Sequence, residues 1–312
     1  MENFEIKAIK YLSHNGKNMI SAKIYEPKGE IKGIVQISHG MCEYIDRYAD
    51  FMAYMVNHGY LIAGNDHLGH GDSSDSEMYG YFAEKQGYVT LVDDLHSLTL
   101  YLKRNYGYEI PYFLLGHSMG SFIARLYLSK YVYELDGAII CGTAGKNVMT
   151  NFGILASKLV MIFKGSLYRS PLLDKMAFGN FNKKVNNPRT SKDWLSQDEE
   201  IVDKYLNDSK CMFTFTAAGF KDLMSLATLT NQKSWFKELD KELPIYLIAG
   251  EDDPVGNYGK GVKKVYSQLL KYGQKDTEIK LYPKGRHEIL NEINKEEVYQ
   301  DVLNWINRRV EE

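Results

Sequence analysis

The hydrophobic and polar positions of this chain change their period along its length. Glu5–Lys10 and Met19–Tyr25 alternate apolar and polar residues, with His14-Asn15-Gly16-Lys17 between them. A period of two predicts half-buried strands, here an antiparallel pair at a sheet edge joined by a turn. Short continuous apolar runs then take over, at Gly33–Ser38, Tyr60–Gly64, Pro111–Leu115, Gly137–Cys141, Pro244–Ala249 and Glu278–Tyr282. Between them Arg47–Asn57, Val89–Asn105, Ser118–Tyr131, Lys260–Tyr272 and Lys295–Arg309 repeat apolar residues at steps of three and four, the helical rhythm. Continuous apolar strands alternating with such helices predict an α/β fold, with a mostly parallel central sheet covered on both faces.

One stretch breaks that rhythm. From Gly142 to Leu243 two strands are separated by far more chain than a crossover needs, and a structureless loop of that length is implausible. Asn147–Lys164 is apolar nearly all round, an Asn- and Lys-rich passage follows from Asn180 to Lys192, and helical material continues through Lys233. The expected division is a core segment 1–142, an inserted helical cap 143–235, and a second core segment 236–312.

Composition narrows the class. A chain of 312 residues buries roughly three quarters of its unfolded surface and needs no disulfide or metal to fold. Its 38 basic against 40 acidic residues carry no polyanion footprint, so nucleic acid is not an expected partner. Cys42, Cys141 and Cys211 are odd in number and widely spaced, which disfavours a disulfide framework or thiolate zinc site. Met1-Glu2-Asn3-Phe4-Glu5 opens with acids and lacks an apolar core before a cleavage site, so no signal peptide is expected. No uncharged apolar window reaches the length of a membrane span. The expectation is a protein of a reducing, cytoplasmic compartment.

The chemistry concentrates at Gly116-His117-Ser118-Met119-Gly120, directly after a predicted strand and directly before a predicted helix. That context is the one in which Gly-x-Ser-x-Gly forms a nucleophile elbow. A serine hydroxyl needs an adjacent base, and in this arrangement nucleophile, acid and histidine follow in chain order. His14, His39, His58, His67, His70, His96 and His117 precede Ser118, and only His287 lies beyond it, just after the last strand. The acid belongs in Glu251-Asp252-Asp253-Pro254, where Asp253 is preferred because Pro254 stiffens the turn, with Asp252 next and Glu251 read as surface. Oxyanion donors are expected from the backbone N–H groups of Met119 and Met41, the latter in His39-Gly40-Met41 after the third strand. Asp66-His67-Leu68-Gly69-His70-Gly71-Asp72 has metal-like residue types, but its glycines favour a structural loop. Trp194 reads as an anchor of the cap.

These residues resemble the α/β-hydrolase superfamily and, within it, the monoacylglycerol lipase and bacterial lysophospholipase branch (the serine aminopeptidase-like hydrolases). His39–Tyr44, Arg47-Tyr48, Gly64–Gly71, Asp193-Trp194-Leu195, Gly250–Gly256 and Tyr258–Val262 carry the likeness along with the elbow. The resemblance implies Ser118 as nucleophile, Asp253 as acid, His287 as base and the amides of Met41 and Met119 as oxyanion donors. Its Gly-x-x-Asp pattern after the strand favours Asp253 over Asp252. The expected activity is hydrolysis of a lipid-like carboxylic ester, monoacylglycerol or lysophospholipid, through an acyl-enzyme, with no metal or organic cofactor. The apolar run Val148–Phe163 suits such substrates, and with Lys158 and Lys164 it suggests transient contact of the cap with a membrane surface. The alternatives are a short-chain carboxylesterase, an aminopeptidase using Asp198, Glu199 and Glu200 to hold a free amine, and a ligand receptor without turnover. The sequence leaves oligomeric state open.

Overall fold

The computed structural model describes residues 3–310, so Met1 and Glu2 of the acidic N-terminus, with Glu311 and Glu312, lie outside the described residues. The alternating N-terminal segments form β1 (Phe4–Leu12) and β2 (Met19–Pro27), paired antiparallel. The apolar runs form β3 (Gly33–Ser38), β4 (Tyr60–Asn65), β5 (Tyr112–His117), β6 (Gly137–Cys141), β7 (Ile245–Gly250) and β8 (Thr277–Tyr282). All eight make one sheet in the order β1-β2-β4-β3-β5-β6-β7-β8, parallel from β4 to β8. β1 is the edge strand, while β2 is covered by β4 and is itself internal.

The strands are apolar throughout because both faces are buried. In β5, Tyr112 and Leu114 join one core cluster, while Phe113 and Leu115 join the other. Successive side chains of a strand point to opposite faces, so each run must be apolar at every position. On the first face lie α2 (Gly87–Tyr106), α3 (Met119–Tyr131) and α9 (Lys260–Lys271). On the second lie α1 (Ala49–Asn57) and α10 (Lys295–Val310), through residues such as Phe51, Met55, Val298 and Trp305. The helix expected from Arg47 starts two residues later, because Ile45–Tyr48 forms a 3-10 turn that aims Arg47 and Tyr48 into the interior.

Between β6 and β7 the chain runs through α4 (Met149–Lys164), α5 (Pro171–Phe178), α6 (Glu199–Leu206), α7 (Ala217–Leu229) and α8 (Lys233–Glu238). Helix α4 packs on α7 with its small residues inward. Gly153 and Ser157 are its buried positions, and a Cβ at Gly153 would stand 3.0 Å from Met224 Cγ. Its bulky residues point outward, Phe152 60%, Ile162 74% and Phe163 78% exposed. Among the described residues no helix is long and apolar enough to cross a membrane.

The sheet order reverses at β3, whose neighbours β4 and β5 lead to opposite edges. In parallel sheets a crevice opens beyond the strands' carboxyl ends at such a reversal. Residues 39–41 after β3, Ser118 after β5, Asp253 after β7 and His287 after β8 all leave the sheet at that end.

Candidate active site

Ser118 occupies the single residue between β5 and α3, with φ 54° and ψ −119°. A non-glycine residue there carries strain of roughly 1–3 kcal/mol, which the surroundings must impose. They do so by close packing. A Cβ at Gly120 would overlap the Ser38 carbonyl, and one at Gly116 would lie 2.6 Å from Ala124 Cβ, so both flanks of the turn exclude any larger residue. The Ser118 N–H donates to the Cys141 carbonyl at 3.0 Å, tying the turn to β6.

The hydroxyl that this turn presents is 2.8 Å from His287 Nε2, and His287 Nδ1 is 3.0 Å from Asp253 Oδ1. Of the candidate acids, Asp253 is fully buried and faces His287, whereas Asp252 and Glu251 are exposed. Asp253 Oδ1 also accepts the Val255 N–H at 2.8 Å, which fixes the carboxylate against the turn that follows. With Nδ1–H donated to the carboxylate, Nε2 is left free to accept the serine proton. The line serine–imidazole–carboxylate can therefore raise the nucleophilicity of Oγ.

The loop after β3 runs beside the serine, since a Cβ at Gly40 would lie 3.0 Å from Ser118 Cβ. Met41 and Met119 both border the cavity above Ser118. Among the described residues neither of their N–H groups has a protein acceptor, and Met119 opens α3, where first-turn amides are unpaired. Two amides so placed can donate hydrogen bonds to an oxyanion as it forms.

Behind the loop lies a buried network that sequence reasoning missed. Glu43 Oε1 accepts from Gly40 N–H and from Tyr48 OH at 2.8 Å, and stands 3.0 Å from His117 Nδ1. Arg47 approaches Glu43 at 3.6 Å and pairs with Glu288, the residue after His287. His117 Nε2 is 3.2 Å from the His287 carbonyl oxygen. One set of charges thus links the loop after β3, the turn at Ser118 and the loop that carries His287. Burial acts to raise the Glu43 carboxyl, but His117 and Arg47 outweigh it and hold it well below the usual carboxylate range. Burial pushes His117 down, and the charge and hydrogen bond of Glu43 reverse this to a net upward shift. The available signal was Glu43 and Arg47 at an i, i+4 spacing just after His39-Gly40, with a histidine inside the elbow.

The Asp66–Asp72 segment serves as a brace. Asp66 accepts the N–H of Ile45 at 2.9 Å and of Asp72 at 2.7 Å, while His67 N–H donates to His39 Nε2 at 2.9 Å. Cys42 is buried, its thiol pushed up by burial to about 12, and it donates to the Phe213 carbonyl at 3.2 Å. Trp194 sits 5.2 Å from the His287 ring, and its carbonyl accepts the His287 N–H at 3.4 Å. Arg286 Nη1 donates to the carbonyls of Asp193 and Ser196, so residues 193–196 hold the histidine loop from above. Asp198 caps α6, Glu199 lies beside Arg189, and neither they nor Glu200 border the cavity.

The cavity over Ser118 encloses about 600 Å³. Phe122, Phe178, Phe181, Trp194, Leu223 and Met224 supply apolar walls, all but Phe122 from the segment between β6 and β7. Lys146, Asn147, Lys192, Asn257, Lys260 and Lys264 also border the cavity.

Comparison with known proteins matches the family described as serine aminopeptidase, S33, over residues 29–294. A monoacylglycerol lipase of Mycolicibacterium smegmatis is 26% identical, the match covering 91% of each chain. The monoglyceride lipase of Homo sapiens is 24% identical over 92% of this chain and 86% of its own. Among solved structures, a thermostable carboxyl esterase from Bacillus coagulans in complex with glycerol superposes with a TM-score of 0.92. It is 32% identical, over 98% of this chain and 99% of that one.

Proposed function

The chain belongs to the serine aminopeptidase, S33, family and has the α/β-hydrolase fold, and on that premise we propose that it hydrolyses lipid-like carboxylic esters through an acyl-enzyme on Ser118. The observation that carries the reading is the hydrogen-bonded line Ser118–His287–Asp253 opening into an aromatic-walled cavity. His287 takes the hydroxyl proton as Oγ attacks the ester carbonyl, and the amides of Met41 and Met119 hold the oxyanion. Collapse breaks the ester C–O bond, and the alcohol leaves with the proton from His287. Water, deprotonated by the same imidazole, then releases the fatty acid. Asp253 keeps the imidazole in its working tautomer and stabilises the imidazolium. Residues 143–235 act as the cap that lines the acyl site.

The relatives named monoacylglycerol and monoglyceride lipase, and the esterase that holds glycerol, support a single-chain glycerol ester as substrate. A free-amine substrate is less well supported, because Asp198, Glu199 and Glu200 serve the start of α6. The outward apolar face of α4, flanked by Lys158 and Lys164, fits transient contact with a lipid surface. Buried, unpaired Cys42, Cys141 and Cys211 suit a cytoplasmic setting. The test is a kcat/KM panel of monoacylglycerols, short-chain esters and aminoacyl amides. The expected result rises with acyl length, and preference for an amide bearing a free amine overturns the reading.

A further inference from the structure

We propose that His39 is a positioning residue for acyl transfer, whose ring N–H holds the Gly40 carbonyl and so keeps the Met41 N–H aimed at the forming oxyanion. The inference rests on the ester-hydrolase reading above and concerns what holds one of its two donors in place.

His39 is fully buried, and both of its ring nitrogens are engaged. Nε2 lies 2.9 Å from the backbone nitrogen of His67, whose N–H can only donate. Nε2 is therefore the bare nitrogen of a neutral ring, and the proton sits on Nδ1. Burial also pushes His39 down, with Glu43 and Asp66 opposing less strongly, so the ring stays neutral near pH 7. Nδ1 lies 2.8 Å from the Gly40 carbonyl oxygen, to which it donates. Neighbouring rings hold the imidazole in this pose, His67 with its centroid at 4.3 Å and His70 at 5.2 Å. His70 is packed in turn against Phe82 and Phe215.

The consequence falls on the next amide. A peptide group is planar, and in the trans form its C=O and N–H point in opposite directions. No peptide bond among the described residues is cis, so the bond that fixes the Gly40 carbonyl also fixes the Met41 N–H. Among the described residues that N–H has no protein acceptor to hold it. Gly40 supplies no restraint of its own, because glycine reaches both signs of φ. It cannot easily be anything larger, since a Cβ there would lie 3.0 Å from Ser118 Cβ. Glu43 clamps the preceding amide, the Gly40 N–H, and leaves the Gly40–Met41 plane to His39. Were that plane to turn over, a carbonyl oxygen would face the developing negative charge, and a stabilising dipole would become a repelling one.

Asparagine and glutamine divide the two ring nitrogens between them. In His39→Asn the side-chain NH2 falls near the place of Nδ1, so the hold on Gly40 is kept. In His39→Gln the side-chain oxygen falls near the place of Nε2, so only the bond from His67 is kept. The experiment measures kcat and KM for a monoacylglycerol with wild type and both variants, per active site counted with a fluorophosphonate. His39→Gln is expected to lose roughly 100-fold in kcat at little changed KM, with His39→Asn at least roughly tenfold faster than His39→Gln. Affinity for an alkyl trifluoromethyl ketone, which forms the oxyanion on Ser118, should follow the same order, and affinity for an unreactive ether analogue should not. Each variant gives up one buried hydrogen bond, so a purely structural role predicts equal losses. Equal losses, or the reverse order, overturn the proposal. Nitrogen NMR of the wild-type imidazoles decides the point without a variant. A neutral His39 protonated on Nδ1 is expected, and one protonated on Nε2 overturns the proposal. Wild type that turns over no ester overturns the reading beneath it, whereas active wild type with equal variants overturns the role of His39 alone.

Discussion

The turn at Ser118 and the helix α4 are two departures from ordinary protein structure, and they are held in opposite ways. Ser118 is strained, and its surroundings leave it no freedom. Glycines at 116 and 120 admit the Gly120–Ser38 contact, β6 takes its amide, and Glu43, Arg47 and His117 lock the loops on either side. Helix α4 is inverted, with Gly153 and Ser157 inside and Phe152, Ile162 and Phe163 outside. Its inner face packs through Gly153, Ala156, Ser157 and Val160, while Phe152, Ile162 and Phe163 on the outer face are free to serve something beyond the chain. A site built by packing should therefore fail steeply and locally, and a surface built by exposure should fail in binding while folding survives.

The largest effect belongs to the site. Ser118→Ala should lower kcat by roughly 10⁴-fold or more, with Asp253→Asn close behind and Asp252→Asn near wild type. Ester hydrolysis under single-turnover conditions checks all three. An Asp252→Asn loss equal to that of Asp253→Asn would contradict the geometry, in which only Asp253 meets His287.

Glu43→Gln tests whether the packing behind the site is a matter of charge. It leaves His117 without its buried counterion and Arg47 with Glu288 alone, and about 3–5 kcal/mol of stability should be lost in urea unfolding near neutral pH. A loss under 1 kcal/mol would mean that shape alone holds the loop after β3.

The junction between the two regions gives a smaller effect with a defined pH dependence. Asp222 of α7 is buried beside the Gly87 amide at the N-terminus of α2, with no cation paired to it among the described residues. Burial raises it to about 7, with Lys221 and the Gly87 amide opposing less strongly. A carboxyl raised from its unfolded value of about 3.9 favours folding below that value and loses the contribution as pH rises through 7. Asp222→Asn should therefore stabilise by about 1–3 kcal/mol at pH 8, with the gain fading toward pH 4. A constant difference across that range would contradict the assignment.

The smallest effect on folding is expected at α4. Ile162→Ser with Phe163→Ser should change unfolding free energy by no more than about 0.5 kcal/mol. The same pair should abolish co-sedimentation with phospholipid vesicles. Unfolding at a lower temperature with vesicle binding intact would reverse the comparison.

The sequence made the two regions unequally legible, for the same physical reason. Strand runs such as Tyr112–Leu115 must be apolar at every position because both faces of the sheet are covered, so their pattern names the fold. Ser118 and His287 were readable because the elbow tolerates only glycine at its flanks and a single histidine follows it. Asp253 and Asp252 were adjacent alternatives until the turn buried one and exposed the other. The pair Glu43–His117 was hidden, since two loops distant in sequence make it. The apolar character of Asn147–Lys164 was visible, but which side faces water depends on Gly153 meeting Met224, a contact no periodicity encodes. The insertion's role and limits stay a reading of the fold, for the same reason.

The account depends most on Ser118 being the group that attacks. Stoichiometric reaction with a fluorophosphonate, followed by peptide mass analysis, tests it directly. The expected result is one adduct per chain, on Ser118, absent in Ser118→Ala and slowed by His287→Ala. An adduct on another residue, or undiminished labelling of Ser118→Ala, would contradict it.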